Sequence, residues 1–198
     1  MALAPAHRFG QIIGGMLEST VRPLMQAVAD EHNLYLDTKG TRPIRGKKRK
    51  VTWEDAFGNQ NDLDFVLETD GTANRIGTPR AFIEVAWRRY TKHSRNKARE
   101  IQCSISPLAE RYYDCHPFLG VVLAGVFTEG SLAQLRSNKF QVLYFPYESI
   151  IAAFAAVGID AHFDEKTPDS ALTRKIKKYI ALSDRKKESI SIALRAPL

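Results

Sequence analysis

The fold is decided by two strand-like segments and the basic segment after them, DLDFVLE (Asp62–Glu68), AFIEVAW (Ala81–Trp87) and RRYTKHSRNK (Arg88–Lys97). Apolar residues alternate with other residues in the first two, which is typical of β-strands. The glycine-bearing turn region Asp70–Pro79 returns the chain between them, so we expect the two strands to pair antiparallel. Carboxylates followed by a strongly basic segment are the composition expected where a divalent metal meets a phosphodiester.

The carboxylates of these strands form the candidate site. Alternation places Asp62 and Asp64 on one face of the first strand. Antiparallel pairing can bring Glu84 beside Asp64, because same-face neighbours across a ladder lie within a few ångströms. Asp64, Glu84 and the carbonyl of Val85 would supply hard oxygen ligands of the kind that Mg²⁺ prefers. Asp62 is a further candidate ligand, although an aspartate there is equally typical of a strand start after a turn.

An alternative interpretation makes Asp64 and Glu84 an exposed strand face balanced by Arg88 and Arg89. The run FIEV around Glu84 is too apolar for a freely exposed edge, which favours the metal site. Trp87 alternates with Glu84 and is expected in the core.

The rest of the chain predicts helices around further strands. Apolar residues at three- and four-residue steps predict a helix over His7–His32, kinked or divided at Pro23, and another after Tyr90 with Ser94 as its N-cap. Further elements are predicted as strands at Val51–Phe57, Phe118–Phe127 and Phe140–Phe145, and as helices at Ser131–Arg136, Ser149–Val157 and Ser170–Lys187. Strands that alternate with helices imply a partly parallel sheet. We therefore expect one α/β domain over residues 1–198, with a core at about 7–145 and a helical part at about 149–198.

The charge of the chain favours an acidic partner. The formal net charge is +7, which suggests nucleic acid first and an anionic membrane second. The segment 39–50, called the basic arm below, contains no acidic residue and carries Gly40, Pro43 and Gly46. It is either a solvated loop or a phosphate-contacting arm. The candidate DNA contacts are Arg45, Lys47, Lys48, Arg49 and Lys50 in the arm, and Arg88, Arg89 and Arg95 after the second strand.

Composition limits the remaining classes of protein. With 44% hydrophobic and 26% charged residues, a packed core is expected. The two cysteines, Cys103 and Cys115, have no zinc-type spacing and do not make a disulfide framework. No apolar run has transmembrane length and the start of the chain lacks the order of a signal peptide, so we expect a soluble, cytoplasmic protein without a membrane partner.

The order of elements and the motif residues resemble the PD-(D/E)xK nuclease superfamily, which has the restriction endonuclease-like fold. The resemblance covers about residues 7–145 and rests on LDFVL and FIEVAWRRYTKHSRNKA. It implies a three-layer fold with a mixed central sheet, in which Asp64 matches the motif aspartate and Glu84 the second acidic position. Ala86 stands where the family usually has lysine, and the proline that usually precedes the aspartate is missing.

Three interpretations of Ala86 are open. In the first, the motif lysine has moved to the following helix, with Lys97 as the first choice and Lys92 as the second. In the second, the lysine has been lost, which leaves a protein that binds DNA without cutting it. In the third, the resemblance is fortuitous. The first is favoured, because members of the superfamily are known to move one motif residue onto that helix. Glu18 is a secondary candidate that could point into a site beneath the first helix, although a surface glutamate is the better expectation. Gln102 resembles a helix glutamine of some exonuclease branches, although an ordinary polar surface residue is the better expectation.

The resemblance implies a Mg²⁺-dependent DNA endonuclease, a type II restriction endonuclease-like enzyme of restriction or defence type, with Mn²⁺ as a second metal. Asp64 and Glu84 would hold the metal and Lys97 would assist, while a metal-activated water hydrolyses the phosphodiester. The resemblance also implies double-stranded DNA as partner and a homodimer. The alternative is a catalytically inactive nuclease-fold module that binds DNA or a partner protein.

Overall fold

A computed structural model describes residues 4–196 of the chain. Its helices are α1 Pro5–Glu31, α2 Thr91–Arg111, α3 Glu129–Ser137, α4 Tyr147–Ala155, α5 Asp169–Ile180 and α6 Asp184–Arg195. Its strands are β1 Tyr35–Thr38, β2 Val51–Glu54, β3 Gln60–Leu63, β4 Phe65–Thr69, β5 Thr78–Arg88, β6 Phe118–Gly125 and β7 Gln141–Pro146. Strand and helix alternate from β5 to α4, as the apolar runs predict.

The central sheet is mixed and has five strands in the order β1-β4-β5-β6-β7. The β1–β4 and β4–β5 pairs are antiparallel, whereas β5–β6 and β6–β7 are parallel. The parallel pairs need crossover connections, which α2 and α3 supply. β2 and β3 form a separate antiparallel pair. The predicted mixed sheet with a parallel portion is therefore confirmed.

Helices cover both faces of this sheet. Alternate residues of β5 enter different clusters: Ile83 and Trp87 pack with α1 and the C-terminal helices, whereas Phe82 and Ala86 pack with α2 and α3. Burial on both faces explains why the eight residues of β6 are almost all apolar. The result is a three-layer α/β architecture, as expected, and Trp87 lies in its core.

Several predicted boundaries are wrong. α1 runs through Pro23 without being divided. α2 begins at Thr91, so Ser94 is not its N-cap; the Ser94 hydroxyl instead donates to the Thr91 carbonyl at 2.7 Å. The predicted tail helix Ser170–Lys187 is two helices, because Ser183 caps a new one by accepting a hydrogen bond from the Lys186 amide.

The segment Asp62–Glu68 is not one strand, because the chain bends at Asp64 between β3 and β4. The predicted alternation fails beyond the bend: Val66 and Glu68 are both fully buried. Glu68 lies in the core because Arg42 of the basic arm forms two hydrogen bonds to its carboxylate, at 2.6 and 2.9 Å.

Within residues 4–196, no helix has both the length and the apolar character needed to cross a membrane.

Candidate functional site

The two predicted carboxylates meet where the β4–β5 ladder ends. The last Cα partners at this end are Phe65 and Ile83, so Asp64 and Glu84 are the next residues on each strand. The Val85 amide donates a hydrogen bond of 2.7 Å to Asp64 Oδ2. Where the backbone pairing of β4 and β5 stops, the Asp64 side chain therefore accepts a hydrogen bond from the β5 backbone. The structure brings Asp64 and Glu84 together, as antiparallel pairing predicts.

A lysine amine reaches this pair from α2. Lys97 is only 9% exposed, and its Nζ donates to Glu84 Oε1 at 2.9 Å. The same Nζ donates to Glu100 Oε1 at 2.8 Å. Sequence reasoning missed Glu100, although its position three residues after Lys97 on a predicted helix was a signal that could have found it.

The pKa values of the cluster are perturbed. Burial and the neighbouring Asp64 raise the pKa of Glu84 to about 7, against the opposing effect of Lys97. Burial also raises the pKa of Asp64. For Lys97, burial would lower the pKa, but Glu84 and Glu100 outweigh it and raise the pKa. Glu84 is thus the carboxyl of this cluster whose pKa lies near neutral pH.

Ala86 lies on the same face of β5 as Glu84. It is 3% exposed and packs with Ala98 of α2 in the cluster between the sheet and that helix. The amine beside Glu84 thus comes from the helix, in the geometry that the migrated-lysine interpretation requires. Lys92, the second choice, is exposed in the first turn of α2. The catalytic role of either lysine stays a prediction.

The donor set fits a divalent cation that keeps water ligands. Within residues 4–196, no group of three or more His, Cys, Asp or Glu side chains is arranged to hold a metal. Mg²⁺ commonly needs only one or two carboxylates, with water and substrate phosphate completing its octahedron. Asp64 and Glu84 supply that pair, and Val85 lies beside them on the wall of a cleft.

Two further acidic candidates have different surroundings. Glu18 on α1 is partly buried, and burial followed by the charge of Asp64 raises its pKa, so it faces the site. Asp62 is held elsewhere: it accepts hydrogen bonds from Lys50 and from Thr52, the latter at 2.7 Å, within the β2–β3 pair. The bend at Asp64 separates the two aspartates, so the structure does not bring Asp62 to the pair.

The cleft has a volume of about 860 Å³ and lies between α1 and the end of β5. α1 contributes Gln11, Gly14 and Glu18, and the opposite wall holds Lys97. The other lining residues include Lys39, Arg88, Arg89, His93 and Phe163. Glu18 is the one acidic residue among the described residues that line it, and Asp64 and Glu84 are not among them; they lie behind Val85 and Lys97, which do line it.

The predicted DNA contacts divide into two groups. The Arg45 guanidinium already has partners within the protein. It pairs with Asp37 and donates to three backbone carbonyls, those of Lys50, Thr38 and Gly40. Arg89 donates to the Phe163 carbonyl at 2.6 Å and stacks over Tyr147. The exposed members are Lys47, Lys48, Arg49, Lys50 and Arg95, while Arg88 is partly buried.

Gln102 belongs to the contact between α2 and α3. Its amide donates to Asn138 at 3.0 Å and accepts from Gln134 at 2.8 Å. These bonds agree with the expectation of a polar helix residue.

Comparisons with known proteins add little to this geometry. No family model and no curated protein match the chain. Among solved structures the chain is similar to a protein of unknown function, AF1548, at 11% identity and a TM-score of 0.38, over 90% of this chain and 96% of that one. A likeness of this strength carries no statement about function.

Proposed function

We propose that the protein is a Mg²⁺-dependent deoxyribonuclease, an endonuclease of restriction or defence type that acts on double-stranded DNA. The observation that supports it most is the meeting of Asp64, Glu84 and Lys97 at one end of the sheet, with the Lys97 amine 2.9 Å from Glu84 Oε1. This is the acid, acid and lysine set that the PD-(D/E)xK resemblance implies, with the lysine supplied from α2.

Each residue has a separate task in this proposal. Asp64 and Glu84 hold Mg²⁺, or Mn²⁺ in its place, which when bound supplies an activated water and offsets charge on the scissile phosphate. The Val85 amide orients Asp64 through its hydrogen bond. Lys97 donates towards the reacting phosphate and stabilises the charge that develops there. Exposed basic residues beside the cleft hold the DNA backbone in register.

The test is cleavage of supercoiled plasmid DNA in Mg²⁺ or Mn²⁺. We expect the wild-type protein to cut, and Glu84→Gln and Lys97→Ala each to lose about 100-fold or more in rate, as when one group that stabilises a transition state is removed. Glu54→Gln is a matched control, because Glu54 pairs with Arg111 on the surface. Metal-dependent cutting at the wild-type rate by both site variants would contradict the assignment.

A binding module without catalysis is the second candidate, and Ala86 is the observation that favours it. In that case the wild-type protein cuts in neither metal but keeps salt-sensitive DNA binding. The same plasmid assay with a parallel binding measurement therefore separates the two functions.

A further inference from the structure

The Lys97 ammonium bridges a buried carboxylate and a surface carboxylate. Its Nζ lies 2.9 Å from Glu84 Oε1 and 2.8 Å from Glu100 Oε1. Side-chain exposure is 10% for Lys97, 17% for Glu84 and 61% for Glu100. Glu100 follows Lys97 by three residues on α2, so the two side chains are neighbours on the helix surface.

The lysine and a divalent metal compete for the same carboxylate. Glu84 accepts a hydrogen bond from Lys97, and the proposed function requires Glu84 to bind Mg²⁺. A buried ammonium that loses its counter-charge is strongly unfavourable. Metal binding at Glu84 is therefore less costly if Lys97 keeps another anionic partner.

Glu100 provides that partner without rearrangement of the backbone. Because it is already within hydrogen-bond distance, Lys97 can release Glu84 by breaking one bond while it retains the other. An ammonium has three donors, so the donor freed from Glu84 becomes available to a substrate phosphate.

We infer that Glu100 is a positioning residue, which holds the Lys97 amine beside the site when Glu84 binds a divalent cation. The inference rests on the proposed function in one respect, since it takes Glu84 as a metal ligand. Glu100 acts only through Lys97 and contacts neither the metal nor the DNA.

The test is Mg²⁺ affinity of the DNA-free protein, measured by calorimetry in a double-mutant cycle. Glu100→Gln should weaken Mg²⁺ binding about threefold or more, because Lys97 then competes more strongly for Glu84. Lys97→Ala should bind at least as tightly as wild type, and in that background Glu100→Gln should have no further effect. Glu110→Gln, an exposed glutamate at the far end of α2, is the control. Lys97→Gln replaces Lys97→Ala if the latter does not fold.

An equal loss of affinity from Glu100→Gln with and without Lys97 would overturn the inference, because Glu100 would then act on the metal as a general negative charge. Unchanged Mg²⁺ affinity in Glu100→Gln would also overturn the inference, as would a wild-type protein that binds no Mg²⁺. The readout is independent of cleavage: a protein that binds Mg²⁺ with the expected coupling but cuts no DNA would refute the nuclease function and support the role of Glu100.

Discussion

At the scale of single residues, the candidate site depends on which element carries its lysine. A lysine at position 86 would extend from β5 beside Glu84, but Ala86 packs against α2 and Lys97 extends back from that helix. The amine therefore reaches Glu84 across the interface between helix and sheet. Its position depends on the packing of α2 as well as on the strand.

The raised pKa of Glu84 makes the stability of the metal-free protein depend on pH. The stability contributed by a carboxyl whose pKa is raised to about 7 is fully present below its unfolded-state pKa and is lost as the pH rises through 7. Glu84→Gln remains uncharged, so its unfolding free energy relative to wild type should increase between pH 5 and pH 8. Urea unfolding at both pH values in EDTA measures this; a difference that does not change with pH would show that the pKa of Glu84 is ordinary.

At the scale of elements, the basic arm is anchored by buried charges. Arg42 is 1% exposed and contacts both Asp37 and Glu68, at 2.8 and 2.6 Å. It also donates to the carbonyls of Thr72 and Arg75. The arm is thus tied to the edge of the sheet at Arg42, while its lysines remain exposed.

Removal of that anchor should destabilise the fold. Arg42→Ala leaves Glu68 buried without a counter-charge and leaves Asp37 paired with Arg45 alone. Breaking a buried ion pair in this way typically costs about 3–5 kcal/mol of unfolding free energy. Denaturant unfolding measures the loss, with Lys47→Ala as the control, since exposed substitutions usually change stability by less than about 0.5 kcal/mol. Similar midpoints for the two variants would mean that the buried ion pairs contribute little.

The face of α1 that lines the cleft carries a glycine that no packing requires. A Cβ added at Gly14 would meet no atom within 4 Å, although glycine in a helix interior costs about 0.5–1 kcal/mol relative to alanine. Gly14→Ala should therefore stabilise the fold and place a methyl group in the cleft, where it would weaken DNA binding. Thermal unfolding and a DNA-binding titration measure the two effects.

Gly130→Ala in α3 is the matched control, because a Cβ there also meets nothing within 4 Å and the position is outside the cleft lining. If Gly14→Ala changed DNA affinity no more than Gly130→Ala does, α1 would not be a wall of the DNA site.

At the scale of the whole molecule, the formal net charge is +7, and several exposed basic residues lie on two surfaces. The exposed arm lysines form one of them, and the basic residues of α5 form another, with Arg174, Lys177 and Lys178. Contact between the arm and phosphates stays a prediction, and clustered exposed cations on α5 can also contact phosphates. Each is therefore a candidate surface for the DNA backbone.

Salt dependence distinguishes these surfaces. Replacement of Lys47, Lys48 and Arg49 by glutamine should make the slope of log affinity against log salt less steep, by about 0.9 for each phosphate that the variant no longer neutralises. The same replacement of Arg174, Lys177 and Lys178 tests the second surface. Binding titrations between low and physiological salt give the slopes, and an unchanged slope in both triple variants would rule out both surfaces as phosphate-binding sites.

The sequence by itself predicted the α/β class, the mixed sheet and the proximity of the two carboxylates. Local periodicity predicted β6, β7 and α1, because the spacing of apolar residues indicates which face of a strand or helix is buried. Alternation in two segments that are joined by a returning turn was enough to place Glu84 beside Asp64. The strand carrying Ile83 and Val85 was predictable for the same reason.

Only the tertiary structure decided which charged side chains belong to the site. Alternation makes Asp62 and Asp64 look equivalent. Because the chain bends between β3 and β4, Asp62 accepts a hydrogen bond from Lys50, whereas Asp64 accepts one from the Val85 amide. Arg45 looks like a surface cation, yet its guanidinium donates to carbonyls of the arm. Lys97, which the family resemblance singled out, is buried against Glu84. Local sequence patterns report which residues are buried, whereas the partner of a buried charge is set by segments that are distant in the chain and meet only in the fold.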